Sequence, residues 1–379
     1  MKLLRVFLVL SVFLFSCDSG SDESSDDNFD RAAMLTNWAD HIIIPAYQNY
    51  KKELVDLKSV TLTFTNEVNE SNLVALRDQW KTAYLSWQWV AMFEIGQAET
   101  VSLQSYTNLF PTSPTDIEEN ITAGNYNLEL PSRRNQQGFP AIDYLINGVG
   151  TSDAAIVSIF SDPNTGEGYR VYLSDLVERL NALTAEVVAD WENGYRDTFV
   201  NNDASSATGA VNKVANDYIF YFEKNLRANK IGIPAGVFSG TPDSKDVEAY
   251  FGADFSKSLY EEALVASQAF FNGQHYGSTT TGEGFSSYLD YMNSINEGED
   301  LVKLINDQFV IIESTGSSLS DNLAEQVETD NSLMLQTYDE LQKNVIYFKV
   351  DMLQALNIKV DYVDADGDRC KDIILASNY

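Results

Sequence analysis

Three stretches of this chain carry large apolar residues at steps of three, four and seven. Leu73, Leu76, Trp80, Tyr84 and Trp87 form the first. Tyr172, Leu176, Leu180, Leu183, Val187 and Trp191 form the second, and Met334, Leu341, Val345, Phe348, Met352 and Leu356 the third. That spacing places every member of a set on one face of a helix, and such a face has to be buried against another element. The expected class is therefore all-α, built from long antiparallel helices. Alternation at a period of two is scarce, and Ser59 to Phe64 is the one short strand candidate.

Breakers divide the helices. NLFPTSPTD (108–116), SDPNTGEG (161–168), NNDASSATG (201–209) and GQHYGSTTTGEG (273–284) are rich in Gly, Pro, Ser, Thr and Asn, and read as loops. The 201–209 loop is the best candidate for a boundary, which gives an N-terminal helical bundle over 30–205 and a C-terminal one over 206–379. A faint repeat supports two related halves. TGEGYRVYLSDL (165–176) and TGEGFSSYLDYM (281–292) each follow an Asn-Gly pair, in YLING (144–148) and AFFNG (269–273). A duplication is one explanation and shared loop composition is the other. A pocket between the halves is the expected place for a ligand.

The first 16 residues read as a signal peptide. Lys2 and Arg5 precede the apolar run VFLVLSVFLF, which is shorter than the roughly 20 residues that span a bilayer. Leu14-Phe15-Ser16-Cys17 resembles the bacterial lipobox, with Cys17 as the lipidated residue and a lipid anchor holding the protein to a membrane. The residues after it, DSGSDESSDDN, hold no apolar side chain, so 17–29 is expected to be an acidic, disordered tether. The acidic run also resembles a surface-export signal of Gram-negative lipoproteins, with a solvated spacer as the alternative. The expected address is the cell envelope, on either side of the outer membrane. With Cys17 lipidated, Cys370 has no partner for a disulfide within the chain.

Net charge restricts the partners further. At −31, the chain lacks the cationic surface that nucleic acid requires, so no nucleic-acid partner is expected. Its 44% hydrophobic and 12% aromatic content is that of an ordinary globular protein, able to build its core without disulfides.

Catalytic signatures are few. The two histidines, His41 and His275, lie far apart in the sequence, and zinc sites draw chiefly on His and Cys. No HExxH, G-x-S-x-G or GxGxxG pattern occurs. His41 lies in ADHIIIPAY, where Pro45 lacks the N–H that would bond to the His41 carbonyl, so a kink with a freed carbonyl and a half-buried histidine is expected. In VDADGD (363–368), Asp364, Asp366 and Asp368 match the first alternating ligands of a calcium loop. Arg369 then stands where a glycine is needed and Leu375 where a glutamate is needed, so an acidic turn is the better reading.

The most informative stretch is QQGFPAIDYLING (136–148). Gly138 permits a backbone geometry that other residues resist. Pro140 suits a first helical turn, where its missing N–H costs nothing. Asp143 sits where exposed amides favour an acid. Ile142, Leu145 and Ile146 supply a buried face. Helix-start chemistry alone accounts for all of this.

The chain resembles the imelysin family over most of its length. The resemblance rests on the Trp80 and Trp87 helix that ends in FEIG (93–96), on FPTSPTDIEENI (110–121), on KIGIPAG (230–236), and above all on GFPAIDYLI (138–146). It implies two helical bundles facing a cleft. Family members described as insulin-cleaving or iron-regulated carry Gly-x-His-x-x-Glu at this helix start as the proposed metal or catalytic site. Gly138, Pro140 and Asp143 occupy those positions here, so the histidine is missing and the acid is one methylene shorter. A second acid of such members falls on Ala91. The resemblance thus implies a scaffold whose motif-equivalent binding residues are Gly138, Phe139, Pro140, Asp143 and Tyr144, with Asp143 as a weak metal candidate and no catalytic residue carried over. The expected function is a non-catalytic, envelope-anchored binding lipoprotein linked to iron or haem acquisition, working with a transport component. The alternatives are an atypical metallopeptidase of the imelysin type and a cell-surface interaction protein.

Overall fold

Every residue of the three apolar stripes is buried. In the computed structural model, which describes residues 27–296 and 300–362, the first stripe lies on a helix over Glu70–Gln88 and the second on one over Gly166–Asp190, with its last member Trp191 opening the π turn Trp191–Tyr195. The third runs from Ser332–Ile346 through a π turn at Tyr347–Met352. No strand forms among the described residues. The signal peptide, Cys17, Asp364, Asp366, Asp368 and Cys370 lie outside them.

The helices that place the site are, in chain order, α1 (Arg31–Asn37), α2 (Ile44–Asn66), α3 (Glu70–Gln88), α4 (Gly138–Asp143), α5 (Gly166–Asp190), α6 (Ala210–Phe220), α7 (Ser256–Phe271), α8 (Phe285–Asn296), α9 (Leu301–Gly316) and α10 (Ser332–Ile346). Helices α2, α3 and α5 pack together in the first half. In the second half, α9 packs on α10 and on α7, and α10 on the π-helical continuation of α6 at Tyr221–Gly232. Across the halves, α7 lies against α3, and one continuous hydrophobic core runs through the whole molecule.

The ends of these helices follow local chemistry. Asn69 caps α3, its side chain accepting the Asn72 N–H. Ser113 does the same for the helix Pro114–Ala123, whose Pro114 occupies the first position. The 201–209 segment forms the expected loop before α6.

One expectation changes, and two contacts bear on the expected division of the chain. Ser59–Phe64 lies inside α2, with Leu62 exposed and Phe64 buried, so the apparent alternation was one short sample of a helical stripe. The stretch expected to be a free tether is already docked at 27–29. Asp27 pairs with Arg31 at 2.8 Å, and Phe29 stacks on Tyr288 with ring centroids 4.2 Å apart. The segment after it crosses the expected division of the chain. Trp38 lies against Phe270 and Phe285, and the Asn37 amide donates to the carbonyls of Gly273 and Glu283.

The two TGEG stretches lie at the starts of helices, the first inside the first turn of α5 and the second just before α8. Gly166 is the first residue of α5. The second copy folds back on its own Asn-Gly pair, the Gly282 N–H donating to the Gly273 carbonyl at 2.9 Å.

Candidate functional site

Gln137 is extended, and its side chain anchors the turn by donating to the Leu128 and Arg133 carbonyls. Gly138 then takes a φ of +78°, a left-handed geometry. A side chain there is also excluded by space: a Cβ would lie 2.2 Å from the carbonyl oxygen of Thr107. Phe139, on α4, turns into the core and stacks on Tyr84 with centroids 4.3 Å apart, while the Trp80 indole N–H donates to the Phe139 carbonyl at 3.3 Å. Tyr144 reaches away and donates to Glu118 at 2.7 Å.

Of the five residues expected at this helix start, Pro140 and Asp143 face the same cavity. It has a volume of about 440 Å³ and lies between Phe110–Pro114 of the first half and Asp243–Phe251 of the second. Its walls are mostly apolar: Phe110, Pro111, Pro140, Val247, Tyr250 and Phe251. Asp243, Lys245 and Asp246 add charge. Phe139 and Tyr144 do not line it.

Asp143 is 1% exposed, and its carboxylate is already engaged. One oxygen accepts the Asn147 amide at 2.8 Å, and the other accepts the Phe251 backbone N–H at 2.9 Å. The Gly252 N–H contributes as well. Burial pushes the acid up to about 7, against the pull of these donors and of Arg77. The backbone comes this close because residue 252 is glycine, where a Cβ would sit 2.9 Å from Asp143 Oδ1. Asp143 therefore fastens the second-half loop onto α4.

Beside this clasp lies a buried polar chain. Tyr84 donates to the Asn108 side-chain oxygen, and the Asn108 amide donates to Glu248 at 2.7 Å. Glu248 pairs with Lys230, both almost fully buried. Burial holds the Lys230 ammonium below its ordinary range, against the attraction of Glu248. Ala91 does not join the Pro140 cavity. It lines a separate one of about 250 Å³ with Glu94, Glu99, Asp217 and Asp361.

The histidines, distant in sequence, are stacked in the fold with ring centroids 4.3 Å apart. His41 is exposed rather than half-buried, because the helix takes a π turn at Trp38–Ile43 that swings the ring outward. The carbonyl freed by Pro45 does exist, and it accepts the Tyr276 N–H at 2.8 Å. His275 is held below the usual imidazole range, by burial first and then by His41. Neither ring lines the Pro140 cavity. Among the described residues, no group of three or more His, Cys, Asp or Glu is placed to hold a metal ion.

Sequence reasoning missed the second wall of the cavity, Asp243–Phe251. This segment has neither helical period nor motif. Only its nearness to KIGIPAG, and the glycine at 252, hinted that it returns to α4.

A family model described as Imelysin matches residues 43–345. No curated protein matches the chain. Its fold is shared by solved crystal structures, among them these two. One, of a protein described as an iron-regulated protein A precursor from Parabacteroides distasonis, superposes with a TM-score of 0.70 at 15% identity, covering 89% of this chain and 97% of that one. The other, an imelysin-like protein from Psychrobacter arcticum, gives a TM-score of 0.66 at 17% identity, covering 88% and 97%.

Proposed function

The chain belongs to the imelysin family, and from that premise we propose that it is an envelope-anchored, non-catalytic binding lipoprotein whose Pro140 cavity takes an iron-bearing ligand such as haem. One observation carries this reading: the helix start where the family resemblance implies a His and a Glu is here a wall and a clasp. The Pro140 side chain offers no ligating atom, and the Asp143 carboxylate is occupied by Asn147 and by the backbone at 251–252. What is left is a concave apolar surface of aromatic and proline side chains, which suits a planar ligand better than a bare ion. Iron fits the description of one structural neighbour as iron-regulated. The lipid at Cys17 would hold the protein at the membrane, close to a transport component.

The test uses the purified chain titrated with haem, with ferrous salt and with insulin B chain, each in separate experiments. Saturable one-to-one uptake of haem that Pro140→Trp abolishes, without peptide cleavage, is the expected result. Metal-dependent cleavage lost in Asp143→Ala would establish the peptidase alternative instead. Absence of haem or iron binding would remove the assigned cargo.

A further inference from the structure

Three elements of the first half converge on the buried ring of Tyr106. The ring belongs to the short helix Leu103–Thr107 and is pinned by its hydroxyl, which donates to the Glu129 carbonyl at 2.8 Å. The Arg134 guanidinium, from the 3-10 turn Pro131–Gln136, lies over this ring at 5.0 Å from its centroid. The Arg179 guanidinium, from α5, lies over it at 5.2 Å. A cation is attracted to an aromatic face, so one ring holds two like charges that repel each other.

Neither guanidinium is neutralised as the other arginines are. Lys and Arg number 25 in this chain against 56 Asp and Glu, so a cation seldom lacks an acid. Arg31, Arg77, Arg196 and Arg227 each lie within 3.7 Å of a carboxylate oxygen. Arg134 forms no ion pair and no hydrogen bond among the described residues, and its contact with Tyr106 is its anchor. Arg179 reaches one acid there, Glu129 at 4.0 Å, whose side chain is 76% exposed. Glu94 attracts Arg134 across space, but its carboxylate accepts the Gln104 N–H at 3.1 Å. The adjacent Arg133 adds a third cation. Its Nη1 donates to the side-chain oxygens of Asn120 and Gln136, which are neutral groups.

The individual nitrogens give a second observation. The Nε atoms of Arg134 and Arg179 are both buried without a hydrogen-bond partner. The Nη groups are not buried in this way, and both side chains stay partly exposed. Packing on Tyr106 therefore strips water from the stem of each guanidinium and leaves its outer nitrogens open without an acceptor. Side chains fixed like this lose little further freedom when a ligand arrives.

The geometry of the donors narrows the ligand. A guanidinium fork matches oxyanions, taking two of their oxygens at once. A carboxylate has oxygens and charge enough for one fork. A phosphate group, even as a monoester, keeps three terminal oxygens and enough charge for both. We propose that Arg134 and Arg179 form a clamp for a phosphate group, free or as a monoester, each donating from its Nη groups to the phosphate oxygens while Tyr106 backs the pair. Neither arginine lines the Pro140 cavity, so the clamp does not depend on the ligand assigned there.

The test is calorimetric titration of the full chain at neutral pH and fixed ionic strength with inorganic phosphate, with glycerol 3-phosphate and with acetate. Saturable one-to-one binding of a phosphate is expected, weaker by about tenfold or more in Arg134→Gln and in Arg179→Gln. Arg134→Lys should lose nearly as much, because it keeps the charge without the planar fork. Lys52→Gln, which changes an exposed cation elsewhere, should bind like the parent. A readout on the parent alone covers the case of a variant that fails to fold. Phosphate should shield Arg134 and Arg179 from labelling by phenylglyoxal, an arginine reagent, with the modified sites mapped by mass spectrometry and Arg196 labelled as before. Tighter binding of the ester than of the free ion would place the phosphate on a larger molecule, and the reverse order would assign the clamp to the free ion. Undiminished binding in Arg134→Lys, unshielded arginines or the lack of saturable binding would each overturn the clamp. Acetate binding as tight as phosphate binding would overturn the ligand class.

Discussion

Asp143 Oδ2 accepts the backbone N–H of Phe251 at 2.9 Å, joining the last residue of α4 to a loop 108 residues further along the chain. The acid that the family motif would offer to a metal is spent on holding the cavity's two walls together. Asp143→Ala should therefore cost about 3 kcal/mol, since it leaves the Phe251 and Gly252 amides without their acceptor. Urea unfolding measures this, and a loss below about 0.5 kcal/mol, the scatter of ordinary surface changes, would show that the clasp contributes little.

The raised carboxyls set a pH dependence. Asp143 and Glu94 are pushed up to about 7 and Asp217 to about 8, burial being the first cause in each case. In the folded state they keep protons that the unfolded chain has released, so the folded state binds more protons between pH about 4 and 8 and loses stability as pH rises through that window. Five carboxyls held low act in the opposite sense in more acidic solution: Asp40, bonded to Arg196, Glu223, where Lys224 and Lys349 outweigh burial, and Asp162, Asp330 and Glu340. His275, held below the usual imidazole range, also opposes the trend just below that range. The melting temperature should be higher at pH 5 than at pH 8, and Asp217→Asn should flatten the slope. A melting temperature that climbs from pH 5 to 8 would contradict the assignment.

Gly138→Ala tests the helix start without touching charge. The residue would be forced to a φ of +78° with its methyl 2.2 Å from the Thr107 carbonyl oxygen. A loss of about 3 kcal/mol or more is expected, along with weaker ligand binding as Pro140 shifts. A circular-dichroism melt within a degree of the parent would mean that the backbone relaxes freely at this point.

Lys230→Met leaves Glu248 buried without its cation, with Asn108 and Tyr84 as side-chain partners. Breaking such a pair costs about 3–5 kcal/mol. Adding Glu248→Gln should recover much of that, since the neutral amide can still meet Asn108. A double variant no more stable than Lys230→Met, measured in the same denaturant series, would show that the pair's charge was not the source of the loss.

The bundle helices were legible because their signal is local. Leu73 through Trp87 repeat within one helix, and their burial follows from the period alone. Gly138 was also legible, since a glycine before Phe-Pro announces a special φ. The histidine pair was not, because stacking His41 on His275 depends on how the 273–284 loop returns to the π turn, where Tyr276 caps the carbonyl freed by Pro45. The far wall of the cavity was hidden for a similar reason. Val247, Tyr250 and Phe251 lie on irregular backbone whose position is set by one long-range acceptor, Asp143. Membership in the imelysin family was carried by GFPAIDYLI and its companions. The role of the acid in that stretch emerged only once its bonding partners were placed.

The docking of Asp27 and Phe29 on Tyr288 decides where a pull from upstream would enter the molecule. A pull arriving at Asp27 meets α8 of the C-terminal half first, not the helices beside Pro140. In flowing or crowded surroundings the strain would fall on that aromatic latch, and the clasp at Asp143 would be spared until the latch gave way.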